Sequence, residues 1–196
     1  MERLAGILFN LGGPDGPRAI EPFLFNLFND VAIINAPSPL RWILAKFISR
    51  RRAPEARKVF KNLGGKSPLL EETQAQADAL ARRLENGAGE VRVFIAMRYW
   101  HPKSEETVEA VKAFGPDEII LLPLYPQYSG ATTGSTLDAI ADVFKRTRWV
   151  PELHFIGGYH QSDAFVAALC SSISRHIDTH GQPDKLIFSY HGTPER

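Results

Sequence analysis

His191 falls at the end of a predicted strand, with Gly192 directly after it. An imidazole there, ordinarily titrating near about 6.5, can take a proton or give a lone pair to a metal. His176 and His180 lie four apart on one helix face, as a metal-binding pair would. They also stand in the last turn before Gly181, where histidine complements the helix dipole. A second chemistry is carboxylate recognition. Between positions 41 and 61, Arg41, Lys46, Arg50, Arg51, Arg52, Arg57, Lys58 and Lys61 stand against Glu55 alone, which leaves the rest of the chain net acidic. Guanidinium pairs with carboxylate in bidentate fashion. A basic run following an apolar helix face suits an anionic ligand with a greasy body; a solvated face is the bland alternative. The Ser129–Thr136 run offers hydroxyls and backbone N–H groups, either for an anion or for N-capping. Gly12-Gly13-Pro14-Asp15-Gly16 sits where a dinucleotide fingerprint would. Leu11 replaces its first glycine and Pro14 lacks a donor, so a tight turn is the plainer reading.

These groups must be positioned by an alternation of short apolar runs and longer amphipathic stretches, the pattern of a parallel sheet with helices on both faces. Strands are expected at 4–9, 91–97, 118–122, 152–156 and 185–189. Leu40, Ile43, Leu44, Phe47 and Ile48 share one helix face behind a Ser38-Pro39 start. Ser67-Pro68 opens a helix with Glu71 and Glu72 in its first turn, and Ser104 opens another that Gly115-Pro116 stops. Further helices should cover 134–147 and 162–179. Cys170, on the stripe Val166, Leu169, Ile173 and Ile177, is expected to be a small buried hydrophobe. Phe23, Leu24, Phe25, Leu27 and Phe28 form a core helix, an apolar pocket lip or a membrane-touching surface. Polar and aromatic residues follow each strand, so five loops should converge on the carboxyl edge, where such sheets bind ligands.

The 196 residues carry 44% hydrophobic and 23% charged side chains, an ordinary globular balance that excludes disordered and fibrous classes. A net charge of +1 gives no global field for nucleic acid, so no nucleic-acid partner is expected. One cysteine permits no internal disulfide and fits a reducing compartment, by default the cytoplasm. No apolar run is long enough to cross a membrane, and no export signal is evident. Ile7–Pro14 lines up with Ile187–Pro194, sharing Ile, Gly and Pro. That repeat would divide the chain into a first α/β unit, 1–180, and the start of a second, 181–196, with too few residues left for its helix; a fragment of a longer protein is expected.

Taken together, Asn10-Leu11-Gly12-Gly13-Pro14, Arg51-Arg52-Ala53-Pro54, Gly64-Gly65-Lys66-Ser67-Pro68-Leu69, Met97-Arg98-Tyr99, Leu122-Pro123-Leu124-Tyr125-Pro126-Gln127-Tyr128-Ser129 and Ser189-Tyr190-His191-Gly192-Thr193-Pro194 resemble the ferrochelatase family in its bacterial form. The resemblance implies a chelatase-type fold of two Rossmann-like halves closing on a porphyrin, into which ferrous iron is inserted to make protohaem. His191 matches the essential histidine, assigned to metal binding, to proton removal or to both. Leu11 matches a position facing the macrocycle. Arg51, Arg52 and Ser67 match its carboxylate side, and Arg98, Tyr99, Tyr125 and Tyr128 match pocket positions. His191 is expected to face the same hollow as Arg51 and Arg52. Porphyrin and ferrous iron are then the partners, with peripheral membrane contact and oligomeric state left open. No cofactor is expected beyond the iron substrate. Gly130 stands where animal members carry a cluster-binding cysteine, so no iron–sulfur cluster of that type is expected. The acidic residue that works opposite the histidine lies in the family's second half, which makes a porphyrin-binding piece without turnover the alternative for this chain, alongside a coproporphyrin-specific chelatase.

Overall fold

The structure is a computed structural model that describes residues 2–84, 89–189 and 192. Four parallel strands form its sheet: β1 (Arg3–Asn10), β2 (Glu90–Met97), β3 (Glu118–Pro123) and β4 (Glu152–Phe155), in the order β2-β1-β3-β4. β1 is central, pairing Ile7 with Phe94 on one side and with Leu121 on the other. The chain leaves β1 toward β2 and returns to β3 across it. The carboxyl ends of β1 and β3 therefore flank a switch point, the place where an open α/β sheet has a crevice.

Helices cover both faces, as the alternation requires. On one, α4 (Ser104–Phe114) and α5 (Ser135–Thr147) bury Val108, Val111, Ile140 and Val143 against Ala5, Ile7, Phe9, Ile119 and Leu121. On the other, α3 (Leu69–Leu84) packs Ala77, Leu70 and Leu80 on Leu8, Ile95 and Met97. A third cluster joins α1 (Ile20–Phe28) and α2 (Ser38–Lys61) to the loop after β2, through Ile20, Phe23, Leu24, Ala53 and Tyr99. Phe23 and Leu24 of the phenylalanine-rich patch are thus core, whereas Phe28 lines a cleft. Burying each large apolar side chain contributes about 1.5–3 kcal/mol, so these three clusters hold the layers together.

Several expectations are corrected. The α2 helix begins at Ser38 itself, with Pro37 in the cap position and no side-chain cap bond, and it runs on past Pro54. Its buried stripe is Ala45, Ser49 and Ala53, small residues that let α1 approach, whereas Leu40, Ile43 and Phe47 of the predicted apolar face are exposed. No strand forms at 185–189: Leu186, Ile187 and Phe188 are exposed coil, without the covered faces that a strand of a parallel sheet requires. Cys170 is exposed, since α6 (Asp163–His180) buries none of its residues. The edge-on ring contact of Tyr159 with Phe165, at 5.3 Å, links α6 to the loop after β4. No helix among the described residues is long and apolar enough to cross a membrane.

Candidate functional site

The ends of β1, β2 and β3 stay in register past the strands, and this carries their loops to one edge. Arg98 N–H donates to Asn10 O at 2.9 Å, Tyr99 N–H to Leu11 O at 3.0 Å and Leu124 N–H to Phe9 O at 3.0 Å. Gly12 turns the chain at φ +85°, where a Cβ would press on Met97 and on the Trp100 backbone. Gly13 meets Ser67 so closely that any side chain would overlap it. Only glycine allows both approaches. Ser67 in turn donates its N–H to Pro14 O at 2.8 Å and accepts the Leu69 N–H at 3.3 Å, tying the start of α3 to the β1 loop.

At the centre of this edge is a carboxylate that sequence reasoning missed. Asp30, just past α1 and 6% exposed, accepts hydrogen bonds from Arg98 at 2.7 Å, from the Tyr99 hydroxyl at 2.9 Å and from the Ser135 hydroxyl. Its other oxygen accepts the Ala32 N–H at 2.8 Å, and Arg98 also donates to Ser135 at 2.6 Å. Burial alone pushes the Asp30 carboxyl up, but the Ser135 and Ala32 hydrogen bonds, the Arg98 charge and the Tyr99 hydroxyl together outweigh it and hold the group below the usual carboxylate range. Burial pushes the Tyr99 and Tyr125 phenols well above their ordinary value, so both are neutral hydroxyls in this setting. The buried hydroxyls of Tyr125 and Thr133 have no hydrogen-bond partner among the described residues, and Tyr125 lies close enough to Tyr99 and Arg98 to feel both.

Arg98, Tyr99 and Tyr125 are therefore brought together, and Leu11 packs against the Tyr99 cluster. Arg51 and Arg52 lie on α2 beside buried Ala53, and they line a cleft of about 720 Å³ with Phe28, Ile33, Ile34, Phe47, Ile48 and Glu55. Arg50 and Arg57 are held by Glu21, whereas neither Arg51 nor Arg52 has an ion-pair partner among the described residues. Tyr128 is 62% exposed, its hydroxyl against Gly134, the residue before Ser135. His191 lies outside the described residues, as do Tyr190 and Thr193–Arg196.

The competing motifs resolve into structural roles. In the π-helical turn Gly130–Gly134, the N–H groups of Thr132 and Gly134 are taken by Ser129 O, and Thr136 bonds Thr132 O, so these donors are used internally. His176 and His180 stack at 4.1 Å, with His180 Nδ1 against the His176 carbonyl at 3.0 Å. The Asp30 hub carried no signal in the sequence, because its partners stand 68, 69 and 105 positions away.

A parallel sheet with helices on both faces, a switch point between the ends of β1 and β3 and an arginine-rimmed apolar cleft between α1 and α2 place the chain among open α/β proteins. Comparison with known proteins takes this one step further. The ferrochelatase family model matches residues 3–196. The chain is 48% identical over 194 residues to a ferrochelatase of Pelagibacter ubique, 47% over 194 to one of Wolbachia from Drosophila simulans, and 46% over 199 to one of Caulobacter vibrioides. The matches cover 98%, 97% and 100% of this chain and 56%, 61% and 56% of those relatives, so it spans little more than half their length. The chain belongs to the ferrochelatase family.

Proposed function

We propose that this chain forms the porphyrin-holding part of a ferrochelatase, which inserts ferrous iron into protoporphyrin IX to give protohaem in the cytoplasm. The supporting observation is the cleft between α1 and α2, whose walls are Phe28, Ile33, Ile34, Phe47 and Ile48 and whose rim carries Arg51 and Arg52, which have no ion-pair partner among the described residues. Apolar walls suit a macrocycle and guanidinium groups suit its propionates. Insertion releases two pyrrole protons per metal ion, so the reaction needs a base near the ring centre. His191 is assigned that role and metal contact, and residues 1–180 form the first half of a two-half fold whose second begins at 181–196. Leu11 then faces the ring, Ser67 stands on its carboxylate side, and Arg98, Tyr99, Tyr125 and Tyr128 border the pocket.

Anaerobic assays of the full-length protein with ferrous iron and protoporphyrin IX test this through the change in porphyrin absorbance. Turnover should fall at least about a hundredfold in His191→Ala. The double change Arg51→Ala/Arg52→Ala should weaken porphyrin binding about tenfold. No insertion by the unaltered protein removes the proposed function, while an unchanged rate in His191→Ala removes only the role of the histidine. Titrating the 196-residue chain with the same porphyrin separates binding from turnover, and coproporphyrin, which differs in carboxylate number, shows which substrate the arginines prefer.

A further inference from the structure

At the amino ends of β3 and β4, opposite the edge that carries Asp30, Glu118 and Glu152 stand directly across from each other in parallel register, and His154 follows two residues later on the same face. Two carboxylates paired this way repel, and strand geometry keeps them from turning away. Ile119, between Glu118 and Ile120, is fully buried in the core, which directs Glu118 to the opposite face of the sheet. Among the described residues no Lys or Arg pairs with either carboxylate; the only partner of both is the imidazole.

The spacing is compatible with a cation shared by the three side chains. His154 Nε2 lies 3.5 Å from a Glu118 oxygen and 3.6 Å from a Glu152 oxygen, and the three donor atoms all fall within 4.8 Å of one another. Hydrogen-bonded N–H and carboxylate groups stand closer, at about 2.7–3.2 Å. Ligand atoms held about 2.0–2.2 Å from a tetrahedral first-row ion lie about 3.3–3.6 Å apart. We infer that Glu118, Glu152 and His154 form a surface site for a first-row divalent cation, with two carboxylate oxygens and one imidazole nitrogen as ligands and the remaining positions open to water. An imidazole with two carboxylates suits zinc, ferrous iron or cobalt rather than calcium, which prefers six to eight oxygens. The site sits on two paired neighbouring strands and does not depend on the porphyrin reading.

The test uses the full-length protein with Zn²⁺ and Co²⁺ as probes. Calorimetry should show an equivalent bound with micromolar affinity that is kept in His191→Ala and weakened at least tenfold in His154→Gln and in Glu152→Gln. Crystals soaked in either ion should give an anomalous peak between the three side chains. Both altered residues are substantially exposed, and unchanged circular dichroism would show that the variants fold. Equal stoichiometry and affinity in His154→Gln and Glu152→Gln, or anomalous density only elsewhere, overturns the site in favour of a histidine bridging two carboxylates.

Discussion

Asp30 organises the carboxyl edge at the scale of single residues. One carboxylate fixes the guanidinium of Arg98, the phenol of Tyr99 and the hydroxyl of Ser135, and these come from the loop after β2 and the first turn of α5. A buried charge pair adds little net stability over an apolar replacement, but removing one partner strands the other. Asp30→Asn leaves Arg98 facing an amide and should destabilise the protein by about 2–4 kcal/mol at pH 7, measured by urea unfolding. The native carboxyl titrates below the unfolded one, so the unfolded chain takes up its proton first as pH falls. The gap between the native protein and Asp30→Asn should therefore be constant above about pH 5 and shrink as pH drops below about 3.9 and through the lowered native value. A gap under about 0.5 kcal/mol at pH 7, or one that widens on acidification, would contradict the hub.

At the scale of elements, the turn after β1 is built by close approach. Gly13 and the side chain of Ser67 occupy space that no larger pair could share, so Gly13→Ala should cost about 1–3 kcal/mol. Adding Ser67→Gly should recover part of that loss, and a double-mutant cycle in urea measures the coupling. Strictly additive losses would mean that the two do not touch. The sequence pattern located β1 to β4 and all the long helices because apolar period reports which positions lie against a neighbour within the same element. It could not say which neighbour. The stripe of Leu40, Ile43 and Phe47 was legible as a helix face, yet Leu40 and Ile43 are exposed and Phe47 lines the Arg51 and Arg52 cleft, while Ala45, Ser49 and Ala53 make the packing contact. Residues 185–189 read as a strand on composition, yet they are exposed coil, because a buried parallel strand also needs elements that cover its faces, which local composition does not report. The family motifs pointed to Arg98, Tyr99 and Tyr125, which the fold gathers; Asp30 and Ser135, which hold them, have no local signature.

Over the whole molecule, burial is unevenly distributed, and stability should follow it. Ala5, Ile7 and Phe9 of β1 and Ile119 of β3 are fully buried between helices on both faces, so their amides open only with the global unfolding of the core. Every residue of β4 is exposed, and α6 buries none, with Val166 and Leu169 each close to half exposed. Helical propensity alone leaves an unpacked helix of this length marginal, because most helical stability comes from a buried face. In the 196-residue chain, hydrogen exchange across Asp163–His180 should therefore run at least about a hundredfold faster than across Ala5–Phe9, as read by mass spectrometry of the corresponding peptides. Cys170, exposed on α6, should react with a thiol reagent in the folded state at close to the rate of the unfolded chain. Equal protection of α6 and β1, with a slow thiol, would require that the helix be packed against a surface the described residues do not supply, and would overturn the gradient from the sheet centre to β4 and α6.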